Sequence, residues 1–254
     1  MSKLPPHYQF IDLSDYGRKP ARRIALALQD TSVTPIHVTN WFVVSGALAI
    51  TCLLLGYNIA AAAFLILKSV LDAADGELSR VKGQPSYVGR YYDSIADITL
   101  NFLFLITLWH VTGHSLWLAG LAFIGIQLQG TLYNYYYVIL RSSVAGDTTS
   151  RVFEDQAPVA MKGESQRMVN VCYRIYDSLY IVFDKTIHYL DRQARHSDPF
   201  PRWFMTLIST FGLGFQLLLM AVFLVVNMEY YIIPFFIVYS GLILVFVAIR
   251  RWAL

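Results

Sequence analysis

A pattern of acidic, glycine and arginine residues lies near the middle of this 254-residue chain, in the stretch DAADGELSRVKGQPSYVGRYYDSIAD. Long apolar runs lie on both sides of this stretch. Carboxylates at the edge of a bilayer are costly, so ionisable residues in such a place indicate a functional site. The members of the pattern are Asp72, Asp75, Gly76, Arg80, Gly89, Asp93 and Asp97.

The spacing of the four aspartates favours the binding of divalent cations. Asp72 and Asp75 are three residues apart and Asp93 and Asp97 are four apart, so each pair shares one face of a helix. If these two faces pack together, four carboxylates occupy one small volume and need cations to stay ionised. Mg²⁺, Mn²⁺ and Ca²⁺ prefer oxygen ligands. Two such ions about 3.5–4 Å apart would clamp both oxygens of a phosphoryl displacement.

Two neighbouring residues suit a phosphate ligand, and the role of a third residue is left open. Gly76 would let a ligand approach the backbone, and Arg80 offers a planar fork that suits phosphate. Lys68 lies four residues before Asp72, on the same helix face; it could pair with that aspartate, meet a phosphate, or extend toward the membrane surface. The simplest alternative for the whole pattern is a set of charges that cap two helix ends, and the fixed spacing of seven residues disfavours it.

The composition is typical of a membrane protein. Hydrophobic residues make up 56% of the chain and charged residues 15%, whereas soluble domains carry about 25% charged residues. The net charge of +3 is too small to indicate binding to nucleic acid. The two cysteines, Cys52 and Cys172, do not suggest a disulfide framework, and the first twenty residues lack the apolar core of a signal peptide.

The apolar runs predict six membrane spans, because about 20 apolar residues cross the hydrocarbon core. Short polar links after the first, third and fifth spans imply three antiparallel helical hairpins. Lys and Arg precede the first span, follow the even-numbered spans and are absent from the three short links, which predicts cytoplasmic termini. The spans are expected at about residues 40–56, 58–79, 93–112, 115–140, 203–227 and 230–250.

The sequence thus predicts an all-α membrane protein with a single membrane domain over residues 1–254. Residues 1–33 form a cytoplasmic segment in which 14–29 is either an interfacial amphipathic helix or an ordinary basic flank. Residues 34–140 hold the first four spans and the site. Residues 141–202 form a cytoplasmic insertion, with a polar loop and then a helix over 165–195 whose apolar stripe could meet membrane, a neighbouring helix or a second subunit. Residues 203–254 hold the last two spans.

The pattern D-x2-D-G-x2-A-R-x8-G-x3-D-x3-D resembles the signature of the CDP-alcohol phosphotransferases, a family of integral membrane enzymes. The chain departs from that signature once, because Ser79 stands where the family usually has alanine. A weaker similarity lies at Thr34–Thr39, where Ile36 replaces the asparagine of a T-P-N-x-x-T motif. Pro35 there is equally well explained as a first-turn helix residue.

The resemblance implies a role for each residue of the signature. Asp72, Asp75 and Asp93 would hold two divalent ions, Mg²⁺ or Mn²⁺, and Asp97 would be the general base and touch the second ion. The CDP moiety of the donor would contact the remaining members and Thr39. The acceptor-binding residues stay unknown. The residues expected to contact CDP are Gly76, Ser79, Arg80, Gly89 and Thr39.

The reaction implied is transfer of a substituted phosphate from a CDP-linked donor, most commonly CDP-diacylglycerol, to an alcohol, with release of CMP during phospholipid biosynthesis. The run Asp93-Ser-Ile-Ala-Asp97 is similar to the D-S-x-A-D of bacterial phosphatidylserine synthases, which favours serine or an inositol compound over glycerol phosphate. The family resemblance also implies a homodimer. If the chain is bacterial, the protein is expected in the inner membrane. The alternatives are a divalent-cation transporter or a non-catalytic relative, and the absence of an inverted repeat disfavours the transporter.

Overall fold

The structure, a computed structural model, describes residues 4–144 and 156–253, and this part of the chain is helical without any β-strand. Short 3₁₀ turns connect several of its α-helices. The α-helices are α1 (Arg18–Leu28), α2 (Pro35–Leu54), α3 (Asn58–Lys82), α4 (Tyr87–Thr112), α5 (Leu116–Ser143), α6 (Gln166–Leu190), α7 (Arg202–Ile208), α8 (Leu213–Val225), α9 (Ile232–Tyr239) and α10 (Leu242–Ala253).

Helix α3 lies at the centre of the packing, in contact with α1, α2 and α8. Its first half is apolar, and one face of it, with Ala61, Ala62 and Leu65, lies inside the largest hydrophobic cluster. Its second half carries the acidic residues of the pattern. Because one end of α3 is held by close apolar contacts, the carboxylates at the other end are presented from a rigid element.

The pattern ends up at one end of the helix bundle, here called the signature end. Helix α3 ends at Gly83, which has a left-handed backbone with φ +62°, a conformation that glycine adopts without a steric penalty. The chain then turns within a few residues, and Ser86 caps α4 by accepting a hydrogen bond from the Gly89 N–H. The two acidic helices are therefore antiparallel neighbours across a short link.

Apolar helices long enough to cross a membrane are present, but the predicted number of spans is supported only in part. Four helical stretches in the described residues qualify by length and composition, and a fifth qualifies if two helices with a 53° bend between them count as one span. Helix α3 is not among these stretches, and its second half carries several charged residues. Six spans therefore stay a prediction. The four qualifying stretches are Pro35–Leu54, Tyr87–Thr112, Leu116–Ser143 and Glu229–Ala253.

The predicted fifth span, 203–227, bends where the N-terminal segment packs against it. The bend falls at Gly212, which has an extended backbone. A Cβ at Gly214 would lie 1.9 Å from the Ser14 carbonyl oxygen, so only glycine allows this approach. The Leu13 N–H also donates to Ser209 Oγ at 2.9 Å. The N-terminal segment thus occupies the space that a straight helix would fill.

The helices predicted outside the spans are present, whereas their relation to a membrane stays a prediction. Helix α1 falls within the predicted 14–29 segment and packs its alanine face, Ala21 and Ala25, into the core. Helix α6 falls within the predicted 165–195 segment and packs against α4 and α5. Part of the loop predicted before it, residues 145–155, lies outside the described residues.

Candidate metal and substrate site

Three of the four aspartates converge at the signature end. One carboxylate oxygen from each of Asp72, Asp75 and Asp93 lies within 4.8 Å of the others. Helix α3 supplies the first two from positions three residues apart, and α4 supplies the third from its second turn. Asp75 is the most buried, with 8% of its surface exposed. Within the described ranges no second group of this kind occurs.

The three carboxylates, here called the aspartate trio, fit a hard divalent cation. Asp93 Oδ1 is buried and has no hydrogen-bond partner among the described residues. A buried acceptor without a partner is costly in a protein interior. An ion between the three helix-borne carboxylates would satisfy it, and oxygen-only ligands suit Mg²⁺, Mn²⁺ or Ca²⁺.

The fourth aspartate lies beside the trio and is paired with a lysine. Lys68 Nζ donates to Asp72 Oδ2 at 3.0 Å and forms a close ion pair with Asp97 Oδ1. The lysine side chain is only 2% exposed and lies over the Phe42 ring, with Nζ 4.8 Å from the centroid. Of the alternatives left open for Lys68, the structure favours pairing, because a side chain extending toward water would be exposed.

Thr39 supports the trio from α2. Its Oγ1 donates to Asp75 Oδ2 at 2.6 Å. The local sequence fixes this placement, because Thr34 caps α2 through a hydrogen bond with the His37 main chain and Pro35 occupies the first turn. The position of Thr39 therefore orients a carboxylate, and a direct contact with nucleotide stays a prediction.

Gly76 and Arg80 follow the two aspartates of α3, and Gly76 comes directly after Asp75. A Cβ at Gly76 would meet only the Arg80 guanidinium, at 3.6 and 3.7 Å, so packing within the chain does not require glycine there. Arg80 Nη2 pairs with Glu77 Oε1 at 2.7 Å, and a third of the Arg80 side chain is exposed. This surface can accept an anionic ligand, since the glycine leaves room and the guanidinium supplies charge-assisted hydrogen bonds.

Ser79 and Gly89 shape the link between the two acidic helices. Ser79 Oγ donates to the Gln84 carbonyl oxygen at 2.9 Å, which closes the turn after α3. A Cβ at Gly89 would lie 3.1 Å from Ser86 Oγ, tighter than most real contacts. The turn between α3 and α4 is therefore enough to explain why serine and glycine occupy these positions. The contact of both residues with CDP stays a prediction.

The first turn of α4 is also held by Glu164, which the sequence did not single out. Glu164 accepts hydrogen bonds from Ser86 Oγ at 2.7 Å and from the N–H groups of Tyr87 and Val88 at 3.2 and 2.9 Å. Partial burial tends to raise the pKa of Glu164, but these hydrogen bonds and one from the Met161 N–H outweigh it and hold the pKa below its usual value. A carboxylate at a helix N-terminus also interacts favourably with the helix dipole.

Helix α6 provides a second contact with α4. Tyr180 donates from its hydroxyl to the Ser94 carbonyl oxygen at 2.9 Å, one residue after Asp93. Tyr91 packs against the rings of Tyr173 and Tyr176 at centroid distances of 5.9 and 5.2 Å. The face of α6 toward α4 is therefore rich in tyrosine, whereas four other apolar residues of the same helix, Met168, Ile175, Leu179 and Val182, are exposed.

The assembled site combines a hard-cation trio, an exposed guanidinium, and a carboxylate that is oriented by a lysine. These groups can bind a diphosphate, hold its counter-ion and accept a proton from a hydroxyl group.

Comparison with known proteins identifies the family. No curated protein matches the chain. The model of the family described as CDP-alcohol phosphatidyltransferase matches residues 33–157, which contain α2 to α5 and every residue of the signature. The chain belongs to the CDP-alcohol phosphatidyltransferase family.

Proposed function

We propose that the protein is a metal-dependent transferase that moves a phosphatidyl group from CDP-diacylglycerol to the hydroxyl of a small polar alcohol and releases CMP. The observation that carries the proposal is the convergence of Asp72, Asp75 and Asp93 within 4.8 Å, inside the region that matches the family. The single acidic group within the described residues, at one end of the bundle, gives no support to a cation pathway through it.

The chain's own residues have distinct roles in this reaction. The trio would hold a divalent ion, and Arg80, with Gly76 beside it, would bind the diphosphate. Asp97 would take the proton from the acceptor hydroxyl through the carboxylate oxygen that Lys68 does not contact. The alcohol oxygen forms a bond to the lipid-bearing phosphorus, and the bond from that phosphorus to the bridging oxygen breaks. The electron pair leaves with CMP.

When bound, a divalent ion would neutralise the diphosphate and stabilise the charge that develops on its oxygens. The family resemblance implies two ions, and the preferred metal, Mg²⁺ or Mn²⁺, belongs to the same proposal. Ser79, Gly89 and Thr39 would lie near the cytidine. Their local contacts support this placement, because each residue fixes a helix end or a carboxylate that borders the site.

The acceptor and the setting complete the proposal. We favour serine or an inositol compound, on the basis of the D-S-x-A-D run from Asp93 to Asp97. The long apolar helices and the family make the chain an integral membrane protein. Cytoplasmic termini, with the site at the cytoplasmic surface, follow from the distribution of Lys and Arg. A homodimer is included because the family resemblance implies it.

The test is CMP release by the purified protein. CDP-diacylglycerol and Mg²⁺ or Mn²⁺ would be supplied with serine, inositol, inositol phosphate, glycerol phosphate or choline, one at a time. We expect release that depends on the metal, increases with one acceptor, and is lost in Asp97→Asn.

Two results would contradict the proposal. CMP release that is the same in Asp97→Asn as in the unmodified protein would remove the proposed base. Metal flux into proteoliposomes that depends on Asp93, with no CMP release for any acceptor, would favour a transporter.

A further inference from the structure

Lys68 is a buried cation at the centre of the site, and the signature of the family does not contain it. It lies one turn before Asp72 on α3, and its side chain is 2% exposed. Its ammonium group contacts one oxygen of Asp72 and one oxygen of Asp97, and the Phe42 ring covers it. A lysine in this position is a fixed positive charge between two carboxylates from different helices.

The contacts of Lys68 divide the four aspartates unequally. Asp72, Asp75 and Asp93 present oxygens that are close enough for one shared ion. Asp97 is not part of that group and has the lysine as its cationic partner instead. A second divalent ion shared by Asp72 and Asp97 would therefore have to occupy the region where the ammonium lies. Like charges at such short distance repel strongly in a protein interior.

We propose that Lys68 is a resident counter-ion that takes the place of the second divalent ion implied by the family resemblance, so that this chain binds one ion, at the aspartate trio, instead of two. The inference rests on the proposed function for the identity of the site. Lys68 is then a positioning residue, because it orients Asp97 Oδ1 and leaves the other oxygen for the acceptor hydroxyl.

The surroundings of the ammonium oppose its displacement by a metal ion, because two carboxylates and the Phe42 ring hold it in place. Displacing it would leave a buried ammonium without its two carboxylate partners, and an unpaired buried charge is strongly unfavourable. One divalent ion at the trio also neutralises most of the negative charge that Lys68 leaves uncompensated. A single ion together with one lysine is therefore the better match to these four carboxylates.

The test is the number of Mn²⁺ ions bound per chain, measured by titration and electron paramagnetic resonance on the full-length protein in lipid nanodiscs, without donor. We expect one ion in the unmodified protein, with the spectrum of an isolated Mn²⁺. Lys68→Met removes the charge and keeps the length of the side chain, so we expect two ions with an exchange-coupled signal. Lys68→Arg keeps the charge, so we expect one.

Lys82→Met is the matched control, because it removes the same charge from the same helix. Lys82 lies at the end of α3 and donates to the Thr31 carbonyl oxygen, and we expect this variant to bind one ion. If Lys68→Met does not fold, Lys68→Gln replaces it, since its amide can still donate to one carboxylate. Two ions in the unmodified protein, or one ion in a folded Lys68→Met or Lys68→Gln variant, would overturn the proposal.

CMP release measured on the same samples separates this inference from the proposed function. One bound ion without CMP release for any acceptor would refute the proposed function and leave the counter-ion assignment intact. CMP release by a protein that binds two ions would refute the counter-ion assignment and leave the proposed function intact.

Discussion

Two buried ionic clusters at the signature end contain similar groups in different proportions. In the first, Lys68 pairs with Asp72 and Asp97, and Asp75 and Asp93 lie beside them. In the second, Asp191 pairs with Arg250 through a close contact and through a hydrogen bond from Nε to Oδ2 at 2.6 Å. The second cluster also includes Arg251 at 3.8 Å and the Tyr136 hydroxyl at 2.6 Å from the Asp191 carboxylate.

The difference between the clusters is their charge balance. Around Asp191, cations and a hydroxyl surround one fully buried carboxylate, so the cluster joins the end of α6 to α5 and α10 without need of a ligand. Around Lys68, four carboxylates share one lysine, and Asp93 Oδ1 is left buried without a partner. A balanced buried cluster indicates a structural role. A buried cluster with excess charge indicates a site that binds a counter-ion.

The largest effect is expected from Asp97→Asn in the unbalanced cluster. The amide cannot take up the acceptor's proton, so CMP release should fall about 10³-fold, within the range typical of a lost general base. Binding of Mn²⁺ at the aspartate trio should persist, because Asp97 is not part of that group. Initial rates of CMP release and a Mn²⁺ titration on the same sample measure both.

Lys82→Met is the control for Asp97→Asn. Lys82 lies on α3 away from the aspartates and donates to the Thr31 carbonyl oxygen, so this variant should keep its activity. A loss of Mn²⁺ binding in Asp97→Asn that equals the loss in Asp93→Asn would show that the four aspartates act as one ligand set.

The next effect is expected from Asp191→Asn in the balanced cluster, and it concerns stability. The change leaves the buried Arg250 guanidinium without its counter-charge, which should cost about 3–5 kcal/mol in the free energy of unfolding. Thermal unfolding in detergent should show a lower midpoint. CMP release per folded molecule should be unchanged.

Asp198→Asn is the matched control for Asp191→Asn, because Asp198 is exposed on the same connecting segment. A variant Asp191→Asn that unfolds at the same temperature as this control, or that loses activity while folded, would contradict a purely structural role for the second cluster.

A smaller effect is expected from Thr39→Val, which preserves shape and removes the hydrogen bond to Asp75 Oδ2. Residues that orient metal-binding carboxylates contribute roughly 10–100-fold to metal affinity or activity, and we expect about 10-fold weaker Mn²⁺ binding. Thr39→Ser keeps the hydroxyl and should bind Mn²⁺ almost normally. Equal Mn²⁺ affinity in both variants would contradict this role and leave direct contact with nucleotide as the reason for the threonine.

The sequence was sufficient to predict the acidic end of the molecule, because the evidence is local. Spacings of three and four residues place Asp72 with Asp75 and Asp93 with Asp97 on helix faces, and two adjacent helices bring three of these carboxylates together. The charge of Lys68 could be noted in advance, but its burial could not, since burial depends on contacts with Phe42 and α4.

Features that depend on distant parts of the chain were not predictable in this way. The apolar run 203–227 reads as one helix, and its bend depends on the packing of Ser14 against Gly212 and Gly214, about two hundred residues away. Likewise, Glu164 lies in a stretch that reads as a polar loop, and only the folded chain brings it to the first turn of α4.

The smallest effect is expected from Glu164→Gln, and it tests whether a charge outside both clusters supports the acidic helix α4. Because hydrogen bonds hold the pKa of Glu164 below its usual value in the folded protein, its contribution is fully present above the usual glutamate pKa, about 4.3. The contribution is lost as the pH falls through the lowered pKa.

We expect about 1 kcal/mol less stability for Glu164→Gln at pH 7, since the carboxylate is partly exposed. Unfolding midpoints measured from pH 7 down to pH 3 should therefore converge for the two proteins. Glu229→Gln, whose carboxylate accepts from Asn58 at the start of α3 and makes no hydrogen bond to the first turn of α4, supplies the control. A difference that stays constant with pH would mean that the Glu164 side chain stabilises α4 by its shape and hydrogen bonds, and not by its charge.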